Sequence, residues 1–429
     1  MNKTSVNSDV RMHGFSHRHT VQAALAWLDA QLRALDIETV PLRAAARRVL
    51  ATPIVSAVDV PGFDRATMDG YAVVADSTEG ATPYNQIPLS IVGDAMPGSA
   101  FTGSITAGQA IRIMTGAPIP SGADAVLPAE FAEREDDSGE TPLVPVTRDR
   151  APRGAIHAIS SVSPGKNIGP RGEDIATGTT VLEAGRILRP QDVGVMSSIG
   201  VHEVPVVRRP RVRLVITGNE LLSSGTVPRD FKITDSNGPM LAALAERDGA
   251  HVDFPGLVRD DGAAILDALQ ADADVVIVSG GSSVGIEDLA PMLVARHGDL
   301  AVHGIAMRPS SPTGLGRIGN RLVFLLPGNP VSALCAYDFF AGRAIRVMGG
   351  LPKEWPYRLV RGTLVRKISS PIGRLDYARV RWDGTQVEPL SVSGASVLSS
   401  TTRADGFVLV PDDSEGFPAG AEVDVWLYA

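Results

Sequence analysis

The chain has 429 residues, too many for one ordinary hydrophobic core, so two to four domains are expected. Its formal net charge of -8 offers no global attraction to nucleic acid or an anionic membrane, so an anionic ligand must be held by local devices: helix N-termini, backbone amides and a few arginines. The single cysteine, Cys335, excludes an intrachain disulfide framework and a thiolate zinc cluster, and the lack of any run of about 18 apolar residues predicts no membrane span.

Residues 1–19 lack the apolar core of a signal peptide and are expected to form a disordered polar tail, with His13, His17 and His19 as ordinary members of it; the chain is expected in the cytoplasm. Val21, Leu25, Leu28, Leu32 and Leu35 recur at a three-to-four spacing and predict a helix over residues 20–35. A second short helix is expected over 42–50. From Pro53 to about Val206, short β-rich runs alternate with glycine and proline turns, which predicts mostly β structure. The charge run at 133–140 reads as a solvated loop.

After Arg208-Arg209-Pro210 the texture changes. Strands are expected at 211–217, 275–279 and 322–326, and an extended run at 251–258. Helices are expected at 236–248, with Met240, Leu241, Leu244 and Ala245 on one face, and at 262–271, 289–297 and from 330 to about 348. This alternation predicts a parallel sheet with helices on both faces, and in such folds ligands sit outside the carboxyl ends of the strands. Short strands return at 357–365, 377–382 and 423–427 and predict a separate C-terminal β barrel or sandwich.

Four expected strand ends carry polar residues: Thr217–Glu220, Arg259–Asp261, Ser279–Asp288 and Leu326–Ser332. All four should open onto one face. In the third, Gly280, Gly281 and Gly285 permit close approach of backbone amides to a ligand, Ser282 and Ser283 add hydroxyl donors, and a helix N-terminus follows. Glu287 and Asp288 would repel an anion unless a hard cation such as Mg²⁺ bridged them, with Glu220 and Asp260 completing the site. They serve equally well as caps of the next helix. In the fourth, Pro330 suits a first helical turn, while Ser332 suits either a cap or an anion contact. No Walker loop is present, and no GxGxxG follows a strand. Asp69-Gly70 and Thr115-Gly116 each read, in isolation, as turns.

Together these stretches resemble the MoeA family, whose eukaryotic relative is the gephyrin E domain and whose members insert molybdenum into molybdopterin. The matching blocks run in family order: VPGFDRATMDGYAV at 60–73, RIMTGAPIPSGADAV at 112–126, RGEDI at 171–175, TGNEL at 217–221, VSGGSSVGIED at 278–288 and LPGNPVSA at 326–333, with GRLDYAR at 373–379 fitting the last domain. The resemblance implies four-domain subunits: an elongated connecting domain from 20–55 and 178–207, a β-rich domain over 56–177, a three-layer MogA-like α/β domain over 208–350 and a C-terminal β barrel over 351–429. It implies a homodimer whose active sites are shared between subunits, with contacts to the molybdopterin adenylyltransferase and to molybdoenzyme chaperones. The implied substrates are molybdate and adenylated molybdopterin, with Mg²⁺ as cofactor. Carried over by motif, Asp69, Thr115 and Asp174 come from the β-rich domain, and Glu220, Asp260 and Asp288 from the α/β domain as catalytic and magnesium-site residues. Ser279–Ser283, Arg171, Arg308, Gly328, Asn329 and Ser332 would bind ligand.

The sequence also departs from the family pattern. Gly169, Gly304 and Ser311 stand where the family carries cations, Arg308 replaces a lysine, and Asn219 replaces a carboxylate. Two other readings follow: a paralogue handling tungstate or a modified pterin, and a non-catalytic scaffold.

Overall fold

The computed structural model describes residues 18–134, 154–281, 288–391 and 394–428. They form two compact units, one built from the described residues up to 40, those at 47–51 and those from 205 on, the other from the described residues of 41–46 and 52–204.

The smaller unit is β-rich, as its texture predicts. Its main sheet runs Ala125–Pro128, Gly70–Val73, Gln109–Ile113, Ile87–Ala95, Ala155–Ala158, Ala132–Arg134. Only the pairing of Ile87–Ala95 with Gln109–Ile113 is parallel. Alternating side chains fill both faces, Tyr71, Val73 and Leu127 on one, Ala72, Ile111 and Val126 on the other. Gly70 is required by contact: a Cβ there would lie 2.0 Å from the Leu127 carbonyl oxygen. Of the run at 133–140, Glu133 and Arg134 belong to a strand, and 135–140 lie outside the described residues. The second expected helix, over 42–50, is not formed. Only a 3₁₀ turn, Leu42–Ala44, is present, and Arg47 takes a left-handed φ of 65° that breaks any helix.

In the larger unit the first helix spans Val21–Gln31, shorter than expected. Thr20 caps it by accepting from the Ala23 amide at 3.1 Å. Leu32 then turns extended, and the Leu35 amide donates to the Met348 carbonyl, so the last apolar residues of the pattern leave the helix to reach the core. His19, assigned to the tail by sequence, is paired through its backbone with Gly304 and Ala306, whereas His13 and His17 lie outside the described residues.

The α/β sheet has the order His251–Asp253, Arg211–Thr217, Val275–Ser279, Arg321–Leu326, Gly314–Ile318, Asp299–His303, with Leu257–Val258 also paired to Arg211–Thr217. The first four strands are parallel, as expected. The last two join by antiparallel pairing, so that Gly314–Ile318 alone runs against the others, and both went unpredicted. Their glycines read as loop but serve close packing: a Cβ on Gly316 would lie 2.4 Å from the Asp299 carbonyl oxygen. Leu214, Ile216, Ile277 and Phe324 pack into the core that holds Leu241 and Ala333. Val215, Val276, Val278 and Leu325 pack on the opposite face with Ile265 and Val294. Each strand is therefore buried on both sides, which explains its continuous apolar run. The segment 330–348 is helical throughout, but a π-turn at Tyr337–Ala341 interrupts it.

The C-terminal strands close a five-stranded barrel. Arg358–Leu364 pairs with Gln386–Ser391, then Leu375–Trp382, Gly406–Val410, Glu422–Leu427 and back to Arg358–Leu364. Met307–Arg308 adds to the Leu375 edge. A buried polar network joins this barrel to the helices. Tyr357 donates to Asp338 Oδ1 at 2.8 Å, Trp355 to the Asp338 carbonyl at 2.8 Å, and Arg247 to the Tyr357 hydroxyl at 2.8 Å. Burial pushes the Asp338 carboxyl up to about 6.

Candidate active site

Register brings the carboxyl ends of the parallel strands level, Ile216 opposite Ser279 and Ser279 opposite Leu326. The loops then meet backbone to backbone. Gly280 has φ +98°, and a Cβ on it would lie 1.9 Å from the Thr217 carbonyl oxygen, so no other residue fits. A Cβ on Gly328 would lie 3.8 Å from the Gly280 Cα. Asn237, the first residue of the helix Asn237–Arg247, ties this face together: Nδ2 donates to Ser279 Oγ at 2.9 Å and to the Gly328 carbonyl at 2.8 Å. The sequence reading missed this residue. Its signal was a polar side chain at the start of a helix whose other inward positions are apolar.

Carboxylates border the same loops. Thr217 Oγ1 donates to Asp260 Oδ1 at 3.1 Å, and that oxygen is 3.8 Å from where a Gly281 Cβ would stand. Asp261 caps the helix Gly262–Leu269 through the Ala264 amide at 2.9 Å, which leaves Asp260 as the carboxylate turned to the loops. Glu220 is exposed and folds back over Gly218, where a Cβ would lie 2.8 Å from Oε2. Asp288 is half-buried, ahead of the helix Ala290–His297; that helix has Leu289 at its N-cap and no side-chain cap bond. Ser282, Ser283, Gly285 and Glu287 lie outside the described residues. Among the described residues, no three His, Cys, Asp or Glu side chains gather closely enough to hold a metal. The donor chemistry of Glu220 and Asp260 nonetheless suits Mg²⁺, which commonly uses one or two carboxylates and completes its shell from substrate and water.

The fourth loop is more committed to structure. Ser332 is buried, and its carbonyl accepts from Ser310 Oγ at 2.5 Å. Asn329 is the N-cap of Pro330–Ala336 without a side-chain cap bond, and the Val331 amide donates to the Ala395 carbonyl at 3.0 Å. The Arg308 guanidinium, expected to meet a ligand anion, is instead paired bidentately with the fully buried Asp376, with Nε at 2.9 Å from Oδ1.

The β-rich unit carries its own set. Asp69 ends the loop before Gly70–Val73, and Thr115 follows the neighbouring strand Gln109–Ile113. The Thr115 amide and hydroxyl both donate to Asp69 Oδ1 at 2.7 Å and lower the carboxyl pKa. The expected pair is thus brought together from 46 residues apart. Arg171 is held at its amide by Asp64 at 2.7 Å and at its guanidinium by Asp59 at 2.5 Å. The Thr177 amide and hydroxyl, then Arg171, drive the Asp59 carboxyl down to about 2. Asp174 is exposed on the same loop, its amide donating to the Val60 carbonyl at 3.0 Å. At Gly169 a Cβ would lie 2.7 Å from Glu173 Oε2 and 3.5 Å from Arg65 Nε, so a half-exposed cation stands beside a position where the sequence resemblance leads one to expect a cation. Asp59 and Arg65 were not singled out by the sequence, because their pairings are made by the fold.

Comparison with known proteins follows the same division. Family models described as MoeA N-terminal region (domain I and II), Probable molybdopterin binding domain, and MoeA C-terminal region (domain IV) match residues 19–200, 213–346 and 361–428. The chain is 37% identical over 407 residues to Molybdopterin molybdenumtransferase 2 of Mycobacterium tuberculosis, covering 92% of this chain and 96% of that protein. It is 31% identical over 415 residues to Molybdopterin molybdenumtransferase of Staphylococcus aureus, covering 95% of each. The crystal structure of the molybdopterin biosynthesis MoeA protein of Pyrococcus horikoshii superposes with a TM-score of 0.79 at 31% identity, over 96% of this chain and 99% of that one. With such identity over nearly its whole length and three segments matched in order, this chain belongs to the MoeA family.

Proposed function

We propose that the protein is a molybdopterin molybdenumtransferase that takes adenylated molybdopterin and molybdate as substrates, hydrolyses the adenylate and leaves molybdenum on the dithiolene. The observation that carries this reading is the cradle at the strand ends, where Gly280 and Gly328 meet and Asp260 stands at the side. Backbone at Gly280, Gly281 and Gly328 suits phosphate oxygens, because it approaches without side-chain bulk. Asp260, oriented by the Thr217 hydroxyl, is placed to hold a water. That water attacks the adenylate phosphorus, the phosphoanhydride bond breaks, and AMP departs from the pterin phosphate. Glu220, Asp260 and Asp288 do not gather into one three-carboxylate cluster; one or two of them would hold Mg²⁺, with substrate and water completing its shell, and the ion would neutralise phosphoanhydride charge. Asp69, kept ionised by Thr115, and Asp174 are assigned to the same reaction. The family's homodimer, with sites shared between subunits, is part of this proposal, as is a cytoplasmic location.

The test is AMP release from adenylated molybdopterin by the purified protein with molybdate and Mg²⁺. Release that is lost in Asp260→Asn and Asp288→Ala supports the proposal; no release at any Mg²⁺ concentration points instead to a scaffold. A second reading, altered oxyanion choice, is favoured by one observation: the charge of Arg308 is already neutralised by Asp376. Competition between molybdate and tungstate decides it, and a clear molybdate preference rejects it.

A further inference from the structure

Beside the strand-end loops lies a cleft of about 310 Å³ lined by Ser223, Ser224, Asp235, Phe254, Pro255 and Leu257. Its floor holds an unusual carboxylate. Asp235 is only 5% exposed. Its Oδ1 accepts from the Gly238 amide at 2.9 Å, whereas Oδ2 is buried with no hydrogen-bond partner. A buried carboxylate oxygen in that state costs free energy unless something donates to it. Gly238 lets the two groups pack this closely: a Cβ there would lie 2.4 Å from Asp235 Oδ2 and 2.3 Å from Phe254 Cζ. The carboxylate and the aromatic ring therefore meet over a glycine that only glycine can be.

This chemistry selects the ligand. A phosphate or molybdate would be repelled by Asp235. A hydrated cation would want several carboxylate or carbonyl oxygens, but Asp235 is the single carboxylate of a lining otherwise made of Ser223, Ser224, Phe254, Pro255, Gly256 and Leu257. A flat heterocycle with adjacent N–H donors suits both features, its edge on the carboxylate and its face on Phe254. Position agrees, since Asn237, two residues on, holds Ser279 and Gly328 at the cradle. We propose that the Asp235–Phe254 cleft binds the aminopyrimidinone edge of the substrate's pterin ring, with Asp235 as the acceptor that selects it. The inference rests on the function proposed above and gives the ring a place apart from the phosphates.

Binding measured by calorimetry, without turnover, tests it. The probes are 6-hydroxymethylpterin, its lumazine analogue carrying an oxo group in place of the 2-amino group, and AMP. The wild-type protein should prefer the pterin by about tenfold or more, the size of one charge-assisted hydrogen bond. Asp235→Asn, which keeps an oxygen for the Gly238 amide, and Asp235→Leu should both lose that preference while binding AMP as before. Equal binding of the two rings, no measurable pterin binding, or a preference that survives in Asp235→Leu overturns the cleft assignment. Wild-type protein that prefers the pterin yet never releases AMP from adenylated molybdopterin overturns the functional reading instead.

Discussion

The strand-end cradle and the loop cluster of the β-rich unit reach ordered polar geometry by opposite routes. In the cradle, position is stereochemical: Gly280 is fixed by a 1.9 Å exclusion against Thr217, and Asn237 makes two short bonds in near-complete burial. In the β-rich unit, Asp59 and Asp69 are held by hydroxyls, amides and a guanidinium at an open surface. The first arrangement should tolerate salt and pH but not shape change. The second should tolerate shape change but respond to pH.

Gly280→Ala should give the largest effect. The clash and the left-handed φ together predict a loss of about 3 kcal/mol or more, measured by urea unfolding, along with the loss of AMP release. A folded, active alanine variant would break the distinction at once. Asn237→Ala should cost less, about 1–3 kcal/mol, because it leaves Ser279 and the Gly328 carbonyl short of a partner in a buried place. Thr115→Val should barely change stability but should alter titration. Thr115 lowers the Asp69 pKa, so the ionised form is favoured above the ordinary carboxyl range and that advantage fades as pH falls. Without the hydroxyl, the acid limb of the pH–rate profile should move to higher pH; an unmoved limb would show that Asp69 plays no part in the reaction. Arg65→Ala should be the mildest. Its 3.8 Å ion pair with Glu173 is exposed and worth at most about 1 kcal/mol. Melting should be unchanged, while the molybdate concentration needed for half-maximal rate rises a few-fold. No rise would show that Arg65 does not offset the missing cation at Gly169.

The same contrast explains what could be read from the sequence. The strand Val275–Ser279 was legible to the residue, because four consecutive buried apolar side chains ahead of Ser279 leave little choice. Gly280 was legible as a close-approach glycine. The strands Asp299–His303 and Gly314–Ile318 were not, because glycine inside a strand looks like a turn until the partner strand is known. The helix expected over 42–50 failed because apolar spacing does not report the left-handed residue at Arg47. Asp69 with Thr115 needed the resemblance, since each is a turn residue alone. Asn237 and Asp59 depend on pairings between loops far apart in the chain, and no local pattern encodes those.

Family models treat 213–346 and 361–428 as separate pieces, and the texture of the sequence agrees. The buried network at Asp338 says otherwise about energy. Asp338 lies on the helical side, yet its carboxyl accepts from Tyr357 and its backbone carbonyl from Trp355, while Arg308 is paired with Asp376 of the barrel. Deleting the barrel would strand one buried acid and one arginine rather than expose a clean edge. The raised Asp338 pKa adds a signature: the stability tied to its neutral form is full below about pH 4 and fades as pH rises through about 6. Asp338→Asn should flatten melting temperature across that window. Grafting a barrel from a relative would therefore succeed only as a co-inherited set, with residues 247, 308 and 338 travelling alongside it.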